Sequence, residues 1–200
     1  LTLPLLSTPD MLRKIPLMDS LLKGGLRGDL TLWTTDPTQP GKALRVVRQR
    51  IPDRYSNLMS YLANGRWKEA DQETNKQMLE SVGEEAMKRR YLQLEEVQNF
   101  PCYDLKLIDQ LWVKFSGGKF GFSVQKQIWV DVGGKLDFGE DYEALKRAYR
   151  KMCDRNGWRG VTTYSNFTFD TSAPNGHLPV ECIRFLVGAV GFLFSRMADY

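Results

Sequence analysis

Residues Ser116–Trp129 read SGGKFGFSVQKQIW, and the placement of this stretch decides the fold. Upstream, Leu105, Ile108, Leu111, Trp112 and Phe115 recur at helical spacing, giving an amphipathic helix that Gly117-Gly118 end. Gly121 separates Phe120 from Phe122, which sets the two rings on a bend, and Phe122 to Val130 resumes as a short helix. A glycine turn carrying two bulky rings beside Lys119 suits two roles. It is either a helix-turn-helix corner tucked into a core, or a grip on a large, flat, partly anionic molecule. The residues alone leave both open.

Working outward, helices follow one another on either side. Tyr55, Leu58, Met59 and Leu62 form a short amphipathic helix closed by Asn64-Gly65. Trp67, Ala70, Thr74, Met78 and Val82 fall on one face of the next helix, and Lys68, Glu69, Asp71, Glu73 and Lys76 read as its solvated face. Gly83 stops it, and Glu84-Glu85 open a further helix through Met87, Tyr91 and Leu94. Tyr142, Leu145, Tyr149 and Met152 define a basic helix ending near Asn156-Gly157. Trp158 to Pro179 has no sustained periodicity and reads as a long ordered loop, of a kind that is usually functional. Ile183 to Met197 is apolar nearly all round and is expected as a buried helix, with Gly188 and Gly191 admitting a close backbone. Six or seven short helices with no strand pairs make the expected fold class all-α.

Residues 1–54 read as a separate N-terminal helical extension or linker, and residues 55–200 as the main domain. Thr8-Pro9-Asp10 is a plausible helix start, Asp29 to Trp33 is briefly extended, and Asp36 to Gly41 is turn-rich. Lys42, Arg45, Arg48, Arg50 and Arg54 form a basic stretch, read as a solvated helix face or as a surface for acidic partners or lipid headgroups.

The formal charge of +4 is too small to argue for nucleic acid. Cys102, Cys153 and Cys182 are far apart and lack CxxC spacing, which supports neither zinc nor a disulfide scaffold and favours a reducing compartment. Pro4 and Pro9 interrupt the only early apolar run, so no signal peptide is expected, and Phe185 to Phe194 is too short for a membrane span. His177 is the sole histidine, and Ser172 lacks a nucleophile elbow, so a catalytic site is not expected. Binding remains. Phe115, Phe120, Phe122, Trp129, Tyr164, Phe167 and Phe169, with Lys119, Lys126, Arg159 and Arg184, could form an apolar slot with a cationic rim.

Five ordered motifs then point to a family. They are Leu62 to Thr74, which contains W-x-x-A-D-x-x-T; Phe100 to Trp112; Gly118 to Gln125 with Trp129; Gly157-Trp158-Arg159; and Ser172 to Pro179, which contains APxGHLP. Over residues 55 to 185 the chain resembles the genomes-uncoupled-four family, porphyrin-binding activators of magnesium chelatase.

The resemblance implies a compact helical bundle shaped like a cupped hand, with a flap over an apolar cavity. It implies no enzyme and no covalent cofactor, but a ligand: protoporphyrin IX or Mg-protoporphyrin IX, with a bilin as the variant. The implied partner is the large porphyrin-handling subunit of magnesium chelatase, met by a monomer in cyanobacterial cytoplasm or chloroplast stroma, with peripheral contact to the thylakoid membrane left open. The carried-over porphyrin-binding residues are Phe115, Lys119, Phe120, Phe122, Val124, Trp129, Trp158, Tyr164, Phe167 and Arg184. Phe120, Phe122, Val124 and Trp129 would form the wall, and Trp158 to Phe169 the flap. Three departures stand out. Tyr164 occupies the flap where porphyrin binders carry tryptophan, Arg184 falls one position early after Pro179, and the segment from Trp129 to Trp158 is long and basic. They keep a second function in view: a signalling adaptor that retains the fold but binds a bilin or a protein partner.

Overall fold

The computed structural model describes residues 30–31, 48–49, 51–136, 141–183, 186 and 188–197. The chain divides into two compact units, Leu1–Ser56 and Asn57–Tyr200. In the first, β1 (Leu30–Thr31) pairs antiparallel with β2 (Arg48–Gln49), Leu30 opposite Gln49. This corrects two expectations, the absence of strand pairs and a helical face around Arg48; the other basic positions from Lys42 to Arg50 lie outside the described residues, as does the helix start at Thr8. A 3-10 turn, Asp53–Tyr55, leads out of this unit.

The second unit is helical, as expected. Its helices are α1 (Ser56–Ala63), α2 (Trp67–Val82), α3 (Glu84–Arg89), α4 (Leu94–Gln98), α5 (Cys102–Phe115), α6 (Phe122–Asp131), α7 (Tyr142–Arg155) and α8 (Val190–Ser195). The α5 stripe read from the sequence is buried at Leu105, Ile108, Leu111 and Trp112. Through it α5 packs against α2 on one side and α6 on the other.

The centre of the core is aromatic. Trp67 of α2 stacks on Trp112 of α5 with ring centroids 6.0 Å apart, and Phe120 meets both edge-on at 5.5 and 6.4 Å. The Trp112 indole N–H would be costly to bury alone, and it donates to the Thr74 hydroxyl at 2.8 Å. That hydroxyl donates in turn to the Ala70 carbonyl at 2.8 Å. The spacing of Trp67, Ala70 and Thr74 therefore follows from one helix face gripping one indole.

Two helices differ from expectation. The segment expected to run from Glu84 through Leu94 breaks at Arg90, which takes a left-handed conformation with φ 66°. A new helix, α4, then starts with Gln93 and Glu96 capping each other's backbone. Among the described residues of the last segment, the helix covers Val190–Ser195. Before it, Ile183, Leu186 and Ala189 each donate to the carbonyl three residues earlier, a run of tight turns. Gly188 is exposed with open space about it, and a glycine in so short an apolar run removes helix propensity. Gly191 does admit a backbone: a Cβ there would stand 2.7 Å from the Lys135 carbonyl oxygen.

Gly121 constrains the α5–α6 corner. It sits at φ 133°, and a Cβ would lie 2.8 Å from both Asp109 Oδ1 and Val113 Cγ2. Gly121→Ala is expected to cost ~2 kcal/mol or more through combined strain and overlap, lowering the melting temperature by roughly 4–8 °C. Circular-dichroism melting would check this, and an unchanged midpoint would show that the α5–α6 corner can relax.

Candidate functional site

Two loops meet beside the aromatic core. The Gly176 N–H donates to the Lys119 carbonyl at 2.9 Å, and the Gly121 N–H donates to the Leu178 carbonyl at 3.0 Å. The buried Gln125 amide, on α6, donates to the carbonyls of Gly176 and Pro179 at 3.0 and 2.7 Å. The two most distinctive sequence motifs, around Phe120 and around His177, are thus one structure.

His177 is buried among committed partners. Its Nδ1 lies 2.6 Å from the Asn156 carbonyl and its Nε2 accepts the Thr168 N–H at 3.2 Å. This pattern selects the neutral Nδ1–H tautomer, and burial holds the imidazole below its ordinary pKa. Neither nitrogen is left for proton transfer. The Trp158 indole donates to the His177 carbonyl at 2.9 Å, and Phe167 packs on the imidazole at 5.7 Å.

Asp71 is the feature that the sequence placed on a solvated face and the structure buries completely. Its carboxyl accepts the Val180 N–H at 2.6 Å, the Glu181 N–H at 3.2 Å and the Tyr164 hydroxyl at 2.8 Å. The signal was present: Asp71 falls four residues after Trp67, hence on the inner edge of α2. Burial opposes the charged form more strongly than the three donors favour it, and the carboxyl is pushed up to about 7.

One turn along α2 from Asp71, a cavity of about 260 Å³ opens, lined by Asn75, Arg90, Tyr91, Leu92, Glu181, Cys182 and Leu186. More of its lining surface is apolar than polar, Tyr91 is half exposed, and Arg90, an exposed residue at the left-handed bend, is among the residues that line it. None of these residues was singled out from sequence as a ligand contact. They come from three separate segments that share no motif.

The structure places the expected site residues in three groups. Phe120, Phe122 and Trp129 are core side chains with 0, 0 and 1% exposure, and none lines the cavity. Trp129 is turned toward Lys135, to whose carbonyl it donates at 2.9 Å, and toward Phe194. Trp158, Phe167 and Tyr164 cluster in the long loop around His177, with Tyr164 also against Phe169 at 5.1 Å. Phe115, Lys119 and Val124 are half-buried, and Lys114 Nζ lies over the Phe115 ring. Arg184 lies outside the described residues. The loop Trp158 to Pro179 is irregular as expected, with one 3-10 turn at Tyr164–Asn166.

Residues 48–189 match the model of the GUN4-like family. The chain belongs to the GUN4-like family. It is 35% identical over 127 residues to the tetrapyrrole-binding protein, chloroplastic, of Arabidopsis thaliana, a match that covers 62% of this chain and 46% of that protein. It is 33% identical over 130 residues to the Ycf53-like protein of Synechocystis, covering 63% and 50%. The chain therefore spans about half the length of the curated relatives it matches. The fold is similar to ligand-free Arabidopsis thaliana GUN4, with TM-score 0.59, 28% identity and coverage of 72% of this chain and 96% of that one. It is also similar to GUN4 from Chlamydomonas reinhardtii, with TM-score 0.57, 31% identity and coverage of 73% and 86%. Among the described residues no helix is long and apolar enough to cross a membrane.

The shifted Asp71 carboxyl gives a stability test. Its folded value of about 7 lies above the ordinary value of about 3.9, so the folded state holds the proton more tightly. The stability this group supplies is full below ~pH 4, falls as pH rises, and is lost above ~pH 7. Urea unfolding at pH 5 and pH 8 should show the native chain losing stability relative to Asp71→Asn. A constant offset between the two would mean that Asp71 is ionised throughout that range.

Proposed function

We propose that this GUN4-like chain is a non-enzymatic tetrapyrrole-binding regulatory domain. Its ligand is a dicarboxylic tetrapyrrole, protoporphyrin IX or its magnesium form, and its partner is the large porphyrin-handling subunit of magnesium chelatase in chlorophyll biosynthesis. The observation that carries the reading is the cavity beside α2: Tyr91, Leu92 and Leu186 supply apolar wall, and Arg90 and Asn75 supply polar contacts for carboxylates. Burying the faces of a macrocycle there gains roughly 25 cal/mol per Å² before the costs of binding. An Arg–carboxylate contact fixes orientation. The family membership and the name of the Arabidopsis relative support the ligand class.

On this reading Phe120, Phe122 and Trp129 hold the scaffold behind the cavity, and Trp158, Tyr164 and Phe167 shape the long loop that Asp71 ties to α2. The cavity's chemistry suits the ligand, whereas its volume is below the roughly 300–1,000 Å³ usual for small-molecule sites. That small volume also favours a second reading, a signalling adaptor that keeps the fold and docks a bilin or a protein.

A tryptophan-fluorescence titration with a water-soluble dicarboxylic porphyrin, its magnesium form and a bilin separates the two. Saturable quenching by either porphyrin, weakened roughly 5- to 10-fold by Arg90→Ala at unchanged helix content, is the expected outcome. No saturable quenching with any of the three would remove the tetrapyrrole reading and leave the adaptor.

A further inference from the structure

Helix α7 turns an apolar side inward and a basic side outward. Ala148 and Met152 are buried, Leu145 and Tyr149 are half-buried, and the helix packs against α6. The outward side carries Arg147, Arg150, Lys151 and Arg155, all exposed. Arg147, Lys151 and Arg155 stand at i, i+4 and i+8, which sets them in one row with Arg150 beside it. Tyr142–Arg155 holds five basic residues against two acidic ones, so most of the formal charge of +4 sits on this one helix.

The two acids do not cancel the row. Glu143 is paired with Lys146 at 3.1 Å, and Asp154 with Arg159, beyond the helix end, at 3.0 Å. Lys146 is held further across the Tyr142 ring, its Nζ 4.4 Å from the centroid. Arg147 and Arg155 reach Asp141 and Asp131 only at 3.7 and 3.5 Å. Among the described residues Arg150 and Lys151 have no ion pair. Like charges at i and i+4 oppose each other and weaken a helix. The row is thus a liability to the isolated fold, and an opposite charge from outside relieves it.

We propose that the outward face of α7 is a docking site for an acidic protein segment, a helix with carboxylates at i, i+4 spacing. Three guanidinium groups on this face, Arg147, Arg150 and Arg155, suit two-pronged contacts with such carboxylates. Two features favour a protein over other anionic surfaces. A helix that lies on a bilayer buries its apolar side there, whereas the apolar side of α7 is already buried in the fold. Glu143 and Asp154 interrupt the basic face, and a uniformly anionic bilayer or phosphate chain would meet them as repulsion; spaced carboxylates pass between them. No residue of α7 lines the cavity, so the site stands apart from the tetrapyrrole reading.

The test is fluorescence anisotropy of the full chain with a labelled alanine-based helical peptide carrying glutamate at every fourth position, with no tetrapyrrole present. Binding several-fold weaker at ~200 than at ~50 mM salt is expected. Arg150→Gln combined with Lys151→Glu should weaken it about 10-fold or more. The same pair should leave the melting temperature unchanged or higher, because Lys151→Glu puts an acid between Arg147 and Arg155. An equal change of charge in the N-terminal basic stretch, Lys42→Gln with Arg45→Glu, should leave binding within about two-fold. Equal weakening by that second pair would reduce the effect to net charge and overturn the site. Absence of peptide binding would overturn it too, as would a melting temperature lowered by the α7 pair, which would make the row a fold contact. Phosphatidylglycerol vesicles or a single-stranded oligonucleotide bound more tightly than the peptide would refute the protein partner.

Discussion

Two backbone hydrogen bonds, Gly176 to Lys119 and Gly121 to Leu178, are the constraint on which the rest of the second unit depends. They join two irregular loops that could not otherwise satisfy their peptide groups near a dry core. Gln125 completes the joint with its side-chain amide. Once these loops are fixed to each other, Phe120 is delivered edge-on to the stacked tryptophans and His177 is delivered to Asn156. The Leu178–Pro179 segment then runs directly into Val180 and Glu181, whose N–H groups reach Asp71. Core, loop and cavity border are thus held by one continuous set of peptide contacts.

Helix α2 divides its labour by face. One face, Trp67, Ala70 and Thr74, is spent on an indole. On the adjoining edge Asp71 holds loops that arrive from far along the chain, and Asn75 lines the cavity. The angular difference between the two edges is a single residue step. That is why a four-residue motif can specify both packing and a site.

How much of this was legible depends on the range over which each residue acts. The α5 stripe, the Asn64-Gly65 stop and the end of α7 near Asn156 are local patterns, and they read correctly because helix period and glycine stops are local chemistry. Asp71 misled because charge is a one-residue property, whereas its burial is decided by Tyr164, Val180 and Glu181, roughly a hundred residues away. Phe120 and Trp129 looked like ligand wall because an aromatic on a glycine turn has the same composition in a slot as in a core; only the opposing surface separates the two. The helix expected from Ile183 to Met197 is present over Val190–Ser195. Hydropathy reported the burial of the segment truthfully but said nothing of the three-residue turns at Ile183, Leu186 and Ala189.

The wall of the cavity includes a thiol. Cys182 is almost fully enclosed, and burial lifts its pKa well above the ordinary thiol range, so it presents little thiolate. Cys102 and Cys153 are both partly accessible, and burial pushes the Cys153 thiol up to about 11 as well. The rate at which an alkylating reagent marks Cys182, set against that of Cys102, therefore measures how far the cavity exposes its own wall, with no label added and no residue changed.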